Sequence, residues 1–199
     1  MQEDTLTSDD FKKCADFHGH VCPGLAIGYQ AAKAGIMWLA ENRAQDEEVV
    51  AIVETDACGV DAVQVLTGCT FGKGNFIHKD RGKQVFTFIS RRSGKGVRIA
   101  MKPGVIGLDE RHQELLEKVM NESATEEELK EFWTVHQQKS QEILARPAEE
   151  LFTIQAVDIA LPPKARIESS IPCGICGEPT MASKLVNQDG HQVCQDCLA

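Results

Sequence analysis

His18, His20 and Cys22 stand at alternate positions in the stretch FHGHVCPG, and two further thiols, Cys58 and Cys69, follow. Imidazole nitrogens and thiolates select zinc and its transition-metal neighbours over hard cations. In an extended segment, residues two apart share a face, so the trio would point one way. Cys22 precedes Pro23, which biases it toward extended backbone, and a helix starting there would set its positive end beside the sulfur and favour a thiolate. We read His18, His20, Cys22, Cys58 and Cys69 as one core site. The residues leave open whether it is a transition-metal centre or a metal-free site with Cys22 as a reactive thiolate. Asp16, Asp56 and Asp61 are expected to orient it or to supply acid/base groups. Cys14 is expected only to pack.

A second constellation lies at the other end of the chain, where Cys173 and Cys176 form one C-x-x-C knuckle and Cys194 and Cys197 another. That spacing matches a structural four-thiolate zinc site, with rubredoxin-like iron as the rival occupant. A module under about 40 residues buries too little surface to fold alone, and zinc supplies on the order of 10 kcal/mol or more. Between the knuckles, a hairpin turning at Asp189 and Gly190 would bring the halves together. Four thiolates make a closed site that staples rather than catalyses. His191 is expected at the surface.

Elements must position both sites. LAIGYQAAKAGIMWLAEN carries small and apolar residues at three- and four-residue intervals, a helix packed closely against a neighbour. VVAIVET reads as a buried strand delivering Asp56 and Cys58, and GVDAVQVLTG as a short helix leading to Cys69 and the turn FGKGNF. QVFTFIS and GVRIAMK alternate as a hairpin. DERHQELLEKVM and 125–144 are amphipathic helices, with Ser123 and Glu126 expected as a capping box. LFTIQAVDIAL is a last strand. The pattern predicts an α+β core over 1–160, a linker over 161–170 and a four-cysteine module over 171–199. His78, His112 and His136 stand apart, and the latter two are expected to be solvated on charged helix faces.

The glycine turn falls short of a phosphate loop: Gly68, Gly72 and Lys73 are one residue too close, Gly74 replaces the magnesium-binding hydroxyl, and strands follow. Lys73 and Asn75 are left to line a pocket or bind an anion. Across 199 residues the formal charge is -9, which argues against a surface built to track phosphates. Within the module, Lys184 is the only lysine or arginine. The acidic start lacks the basic-then-apolar form of a secretory signal, and no apolar run approaches a bilayer's span. A cytoplasmic location is expected, where eight cysteines are ligands or reactive groups rather than disulfides.

The motifs CADFHGHVCPGLAIGYQAA, VETDACGVDAVQVLTGCTFGKGN and KQVFTFISRRSGKGVRI, in that order, resemble the FmdE family, whose namesake is the E component of formylmethanofuran dehydrogenase. The resemblance implies an α+β core, an auxiliary treble-clef-like zinc finger and a homodimer. The chain runs only two residues past Cys197, so a ribbon-like finger is the alternative. It also implies an accessory or catalytic component of molybdenum- or tungsten-dependent one-carbon or redox metabolism, related to methanogenesis, with a protein partner in that oxidoreductase system. His18, His20, Cys22, Cys58, Asp61 and Cys69 carry over as its active or metal site, joined by Lys73 and Asn75. Cys22, His18, His20, Asp61 and Lys73 are thus the catalytic candidates. Zinc in the finger and a second transition metal in the core are the cofactors expected. The competing readings are a metal-sensing or metal-delivery protein whose finger docks a partner, and a regulator binding nucleic acid, which the acidic balance disfavours.

Overall fold

The computed structural model describes residues 8–198, beginning with a helix that its own first residues initiate. In α1 (Asp9–His18) the Ser8 side chain accepts the Phe11 N–H, Asp9 and Asp10 meet the positive end of the helix, and Gly19 closes it at φ +92°. The apolar helix α2 (Pro23–Leu39) follows, with Pro23 in its first turn and Cys22 as its N-cap. Every α2 residue from Leu25 to Ala32 is buried. Next come β1 (Val49–Val53) and α3 (Gly59–Thr67), then β2 (Phe76–His78), β3 (Val85–Ser90) and β4 (Gly96–Met101). The helices α4 (Glu110–Met120), α5 (Glu126–Ala145) and α6 (Ala148–Leu151) lead into β5 (Phe152–Val157).

The five strands form one sheet in the order β2-β1-β3-β4-β5. β1 pairs parallel with β2, and all other pairings are antiparallel. Period-two alternation sorts the faces. Ala51 and Val53, opposite Phe88 and Phe86, join Val97 and Ile99 in the main core with α2, whereas Val50, Ile52 and Ile89 form a separate cluster on the other face. The two long helices predicted near residues 109–145 are present, but the capping box belongs to Thr125 and Glu128, not to Ser123 and Glu126. Ser123 instead donates to the Lys118 carbonyl at the end of α4.

The chain divides after Lys164. The second unit contains two short antiparallel ladders, β6 (Ser170–Pro172) with β7 (Pro179–Met181) and β8 (Val186–Gln188) with β9 (His191–Val193). Its β8–β9 turn is made by Asp189 at φ 50° and Gly190 at φ 84°, the left-handed pair such a two-residue turn requires. A 3-10 turn covers Gln195–Cys197. The architecture is the α+β core with a small C-terminal four-cysteine unit that the pattern led us to expect. Among the described residues, no helix is long and apolar enough to cross a membrane.

One contact governs how the helices of the first unit meet. A methyl group at Gly28 would lie 2.0 Å from the Gly59 carbonyl oxygen, and one at Gly59 would lie 3.0 Å from the Gly24 carbonyl oxygen. α2 and α3 therefore pack backbone against backbone. Gly28→Ala should destabilise the first unit by at least about 1–3 kcal/mol, the usual cost of overpacking, because backbone cannot swing aside as a side chain can. The urea midpoint of the full chain checks this, and an unchanged midpoint contradicts it.

Candidate functional site

His18 is the last residue of α1, and the left-handed Gly19 reverses the chain so that Cys22 begins α2. The trio therefore converges through a helix-turn-helix junction, not along the extended run expected from its alternate spacing. One ligand atom from each of His18, His20 and Cys22 lies within 4.8 Å of the others. His18 Nδ1 is 2.7 Å from Asp61 Oδ2 on α3, and His18 Nε2 is 3.7 Å from Cys22 Sγ. A carboxylate at Nδ1 fixes the proton there and leaves the Nε2 lone pair available as a donor.

The Cys22 sulfur accepts the Leu25 N–H at 3.3 Å, as the helix N-terminus led us to expect. Burial nevertheless dominates: it pushes the thiol up to about 11 against the N–H donors of Leu25 and Gly24, and neighbouring Cys58 adds to the rise. A thiolate at this depth therefore needs a cation beside it. Two imidazoles, one thiol and an orienting carboxylate fit a transition ion of the zinc class. His20 is exposed, and its ring lies 4.4 Å from that of His18, tilted by 42°, and meets the Trp133 ring of α5 edge-on at 5.6 Å. Burial and the adjacent His18 both hold its pKa below the ordinary range.

The remaining candidates separate. Cys58 directly precedes α3, with Gly24 between it and Cys22. Cys69 follows the other end of α3, fully buried, with its thiol donating to the Val49 carbonyl at 3.2 Å. It is not in the His18, His20 and Cys22 cluster. Lys73 turns its amine to the carbonyls of Ala44 and Gln45, and buried Asn75 donates to Asp46 and Val49 while accepting the Thr70 N–H. The glycine turn thus clamps the lead into β1 and leaves these side chains bound to backbone. Asp16 and Asp56 are exposed. Cys14 is fully buried, and burial followed by Asp10 pushes its thiol up to about 12.

In the second unit, ligand atoms of Cys173, Cys176, Cys194 and Cys197 all lie within 4.8 Å of one another. The sulfurs of Cys176 and Cys194 are 3.8 Å apart. Cys173 Sγ accepts N–H groups from Cys194 at 3.3 Å and Ile175 at 3.5 Å, and these donors, with Cys194 first, bring the thiol down to about 6. The cluster could bind one metal ion in a closed thiolate set.

Sequence reasoning missed one polar pair. His112 and His136 are not solvated: His112 is fully buried and its Nε2 lies 2.8 Å from His136 Nδ1, joining α4 to α5. Their separation of 24 residues across a helical hairpin gave no spacing signal. The rings pack on Phe132, and His136 also meets Trp133. Burial, then His112 and His20, brings His136 down to about 4 from an ordinary 6.5. Burial lowers His112 too, opposed by Asp109 and aided by Lys139. Because the folded pKa lies below the unfolded one, unfolding takes up a proton between these values. The pair's contribution is present above pH 6.5 and is lost as pH falls toward about 4. The urea midpoint should fall across that window, and His136→Gln should flatten the fall; equal slopes contradict the assignment.

Residues 17–153 match the family model described as "FmdE, Molybdenum formylmethanofuran dehydrogenase operon". A "Probable S-adenosyl-L-methionine-binding protein" of Archaeoglobus fulgidus is 32% identical over 195 residues, which take in 93% of this chain and 51% of the relative. The chain thus spans about half the length of that curated relative. A crystal structure of an FmdE-like protein of the tungsten formylmethanofuran dehydrogenase type, from Syntrophus aciditrophicus, superposes with a TM-score of 0.58 at 23% identity, covering 94% of this chain and 88% of the other. That likeness is one of fold.

Proposed function

The chain belongs to the FmdE family, and on that premise we propose that His18, His20 and Cys22 hold a transition metal as an accessory or catalytic centre. Its setting is molybdenum- or tungsten-dependent one-carbon or redox metabolism, and the four-cysteine unit carries a structural zinc. The observation that carries the reading is the Asp61–His18–Cys22 chain, 2.7 Å at its first link and 3.7 Å at its second. It is the arrangement that fixes a ligating imidazole. Three protein donors leave a coordination position open, where an ion of the zinc class supplies Lewis acidity when bound.

The surrounding residues have separable work. Asp61 holds the His18 proton at Nδ1, and the Trp133 ring meets His20 edge-on. The second unit serves as a protein-docking staple: its closed sulfur set offers no substrate position, and Lys184 is a single positive charge among its cysteines.

The name of the Archaeoglobus fulgidus relative supports a second reading, S-adenosylmethionine binding. A cleft of about 460 Å³ between α1, α2 and α3 is lined by Tyr29, Lys33, Glu41 and Arg43, among others. Its charges of both signs suit a zwitterionic amino acid. Calorimetric titration of the full chain with S-adenosylmethionine tests it; binding abolished by Lys33→Ala supports the cleft, and no heat of binding removes this reading.

Metal analysis tests the first reading. Prepared anaerobically under reducing conditions, the full chain should bind two ions. Paired Cys194→Ser and Cys197→Ser substitutions should leave the core ion, whereas Cys22→Ser or His18→Ala should leave only the ion of the second unit. Asp61→Asn should weaken core binding by about 10–100-fold. A native chain that binds a single ion, lost with Cys194 and Cys197, overturns the core centre.

A further inference from the structure

Cys58 is the thiol nearest in role to the cluster that the trio does not include, and its placement has a specific physical origin. Cys22 caps α2 through its sulfur and Cys58 directly precedes α3 without a capping bond, so the Gly28–Gly59 contact holds these two residues near each other. Gly24 lies between them. A methyl group there would sit 3.1 Å from Cys58 Cβ, 3.7 Å from Cys58 Sγ and 3.9 Å from Cys22 Sγ. Both sulfurs therefore approach the side of Gly24 on which a side chain would stand, and a Cβ there would crowd Cys58. Cys22 is 3% exposed whereas Cys58 is half-buried. Cys58 is therefore the more accessible residue of the pair. Cys14 and Cys69 are each fully buried, and Cys69 is bonded to the Val49 carbonyl.

We propose that Cys22 and Cys58 form a dithiol–disulfide pair that exchanges with a low-molecular-weight disulfide, with Cys58 as the attacking and Cys22 as the resolving sulfur. In the first step the Cys58 sulfur attacks one sulfur of the small disulfide. The bond between its two sulfurs breaks, one thiol leaves, and a mixed disulfide forms on Cys58. In the second step the Cys22 sulfur attacks the Cys58 sulfur, the protein disulfide forms, and the second thiol leaves. Two electrons pass from the two cysteines to the small disulfide, and their two protons end on the released thiols. The pair is ordered for this sequence because the more accessible sulfur attacks first and the shielded one then has only to reach across the bare Cα of Gly24. Oxidation ties up the Cys22 sulfur, so the oxidised protein loses one of the three core donors.

The pair is defined by sulfur positions alone, so the test separates it from the metal reading. The reduced full chain, with and without added zinc, is incubated anaerobically with oxidised glutathione, quenched in acid, alkylated and digested with trypsin. The expected product is a disulfide between the peptides spanning residues 14–33 and 44–73, which fragmentation assigns to Cys22 and Cys58. In Cys22→Ser, Cys58 should stop as the glutathione mixed disulfide; in Cys58→Ser the link should vanish and Cys22 should remain a thiol. A native chain in which Cys58 stops as the glutathione adduct overturns the proposal. So does oxidation confined to the four C-terminal cysteines, a link through Cys14 or Cys69, or no oxidation at all.

Discussion

The backbone contact between Gly28 of α2 and Gly59 of α3 is the constraint on which the rest of the first unit depends. Helices that touch through side chains usually hold their axes 8–10 Å apart; here a methyl group would lie 2.0 Å from a carbonyl oxygen. The close approach brings the N-terminal ends of both helices together, and three groups follow from it. Cys22 caps one helix, Cys58 directly precedes the other, and Asp61 lies in the first turn of α3 within 2.7 Å of His18. His18 reaches that carboxylate from the last turn of α1, and the left-handed Gly19 then turns the chain toward Cys22. The site is a junction of three helix ends, and its geometry is set by glycines more than by the residues that do chemistry.

Burial then decides what those residues can be. A thiol that is 3% exposed does not ionise readily, even with the Leu25 N–H aimed at its sulfur. Either a cation stabilises the thiolate or the sulfur stays protonated until it exchanges with another. The metal centre and the dithiol pair are thus two outcomes of one desolvated sulfur, joined through Cys22. The four C-terminal cysteines follow a different logic. Their small unit has its buried residues gathered at Cys173, Val193 and Cys194, so the sulfur cluster itself stands where an apolar core would be.

Much of the fold was legible in the sequence because its periodicities are strong. The uninterrupted apolar run of β1, the alternation of β3 and β4 and the small-residue stripe of α2 each follow from which face must be buried. The four-cysteine unit was legible from ligand spacing. α1 was missed although Ser8, Asp9 and Asp10 are an ordinary helix start. The alternate spacing of His18, His20 and Cys22 suggested an extended run, whereas Gly19 was the residue that decided the path. Cys69, Lys73 and Asn75 looked like site residues because their types do chemistry elsewhere, yet each is engaged by the carbonyls that lead into or begin β1. His112 and His136 were unreadable for a different reason: each is isolated in its own helix, and only the α4–α5 packing makes them a pair.

An ion among His18, His20 and Cys22 is shown more directly by locating it than by counting it. Anomalous scattering at the zinc edge, from crystals of the full chain grown anaerobically, should show two peaks. One should lie among Cys173, Cys176, Cys194 and Cys197, and the other within bonding distance of His18 Nε2 and Cys22 Sγ, with Asp61 still on His18 Nδ1. A single peak at the four cysteines, with the His18 and Cys22 pair bare in crystals soaked with zinc, would contradict the core centre.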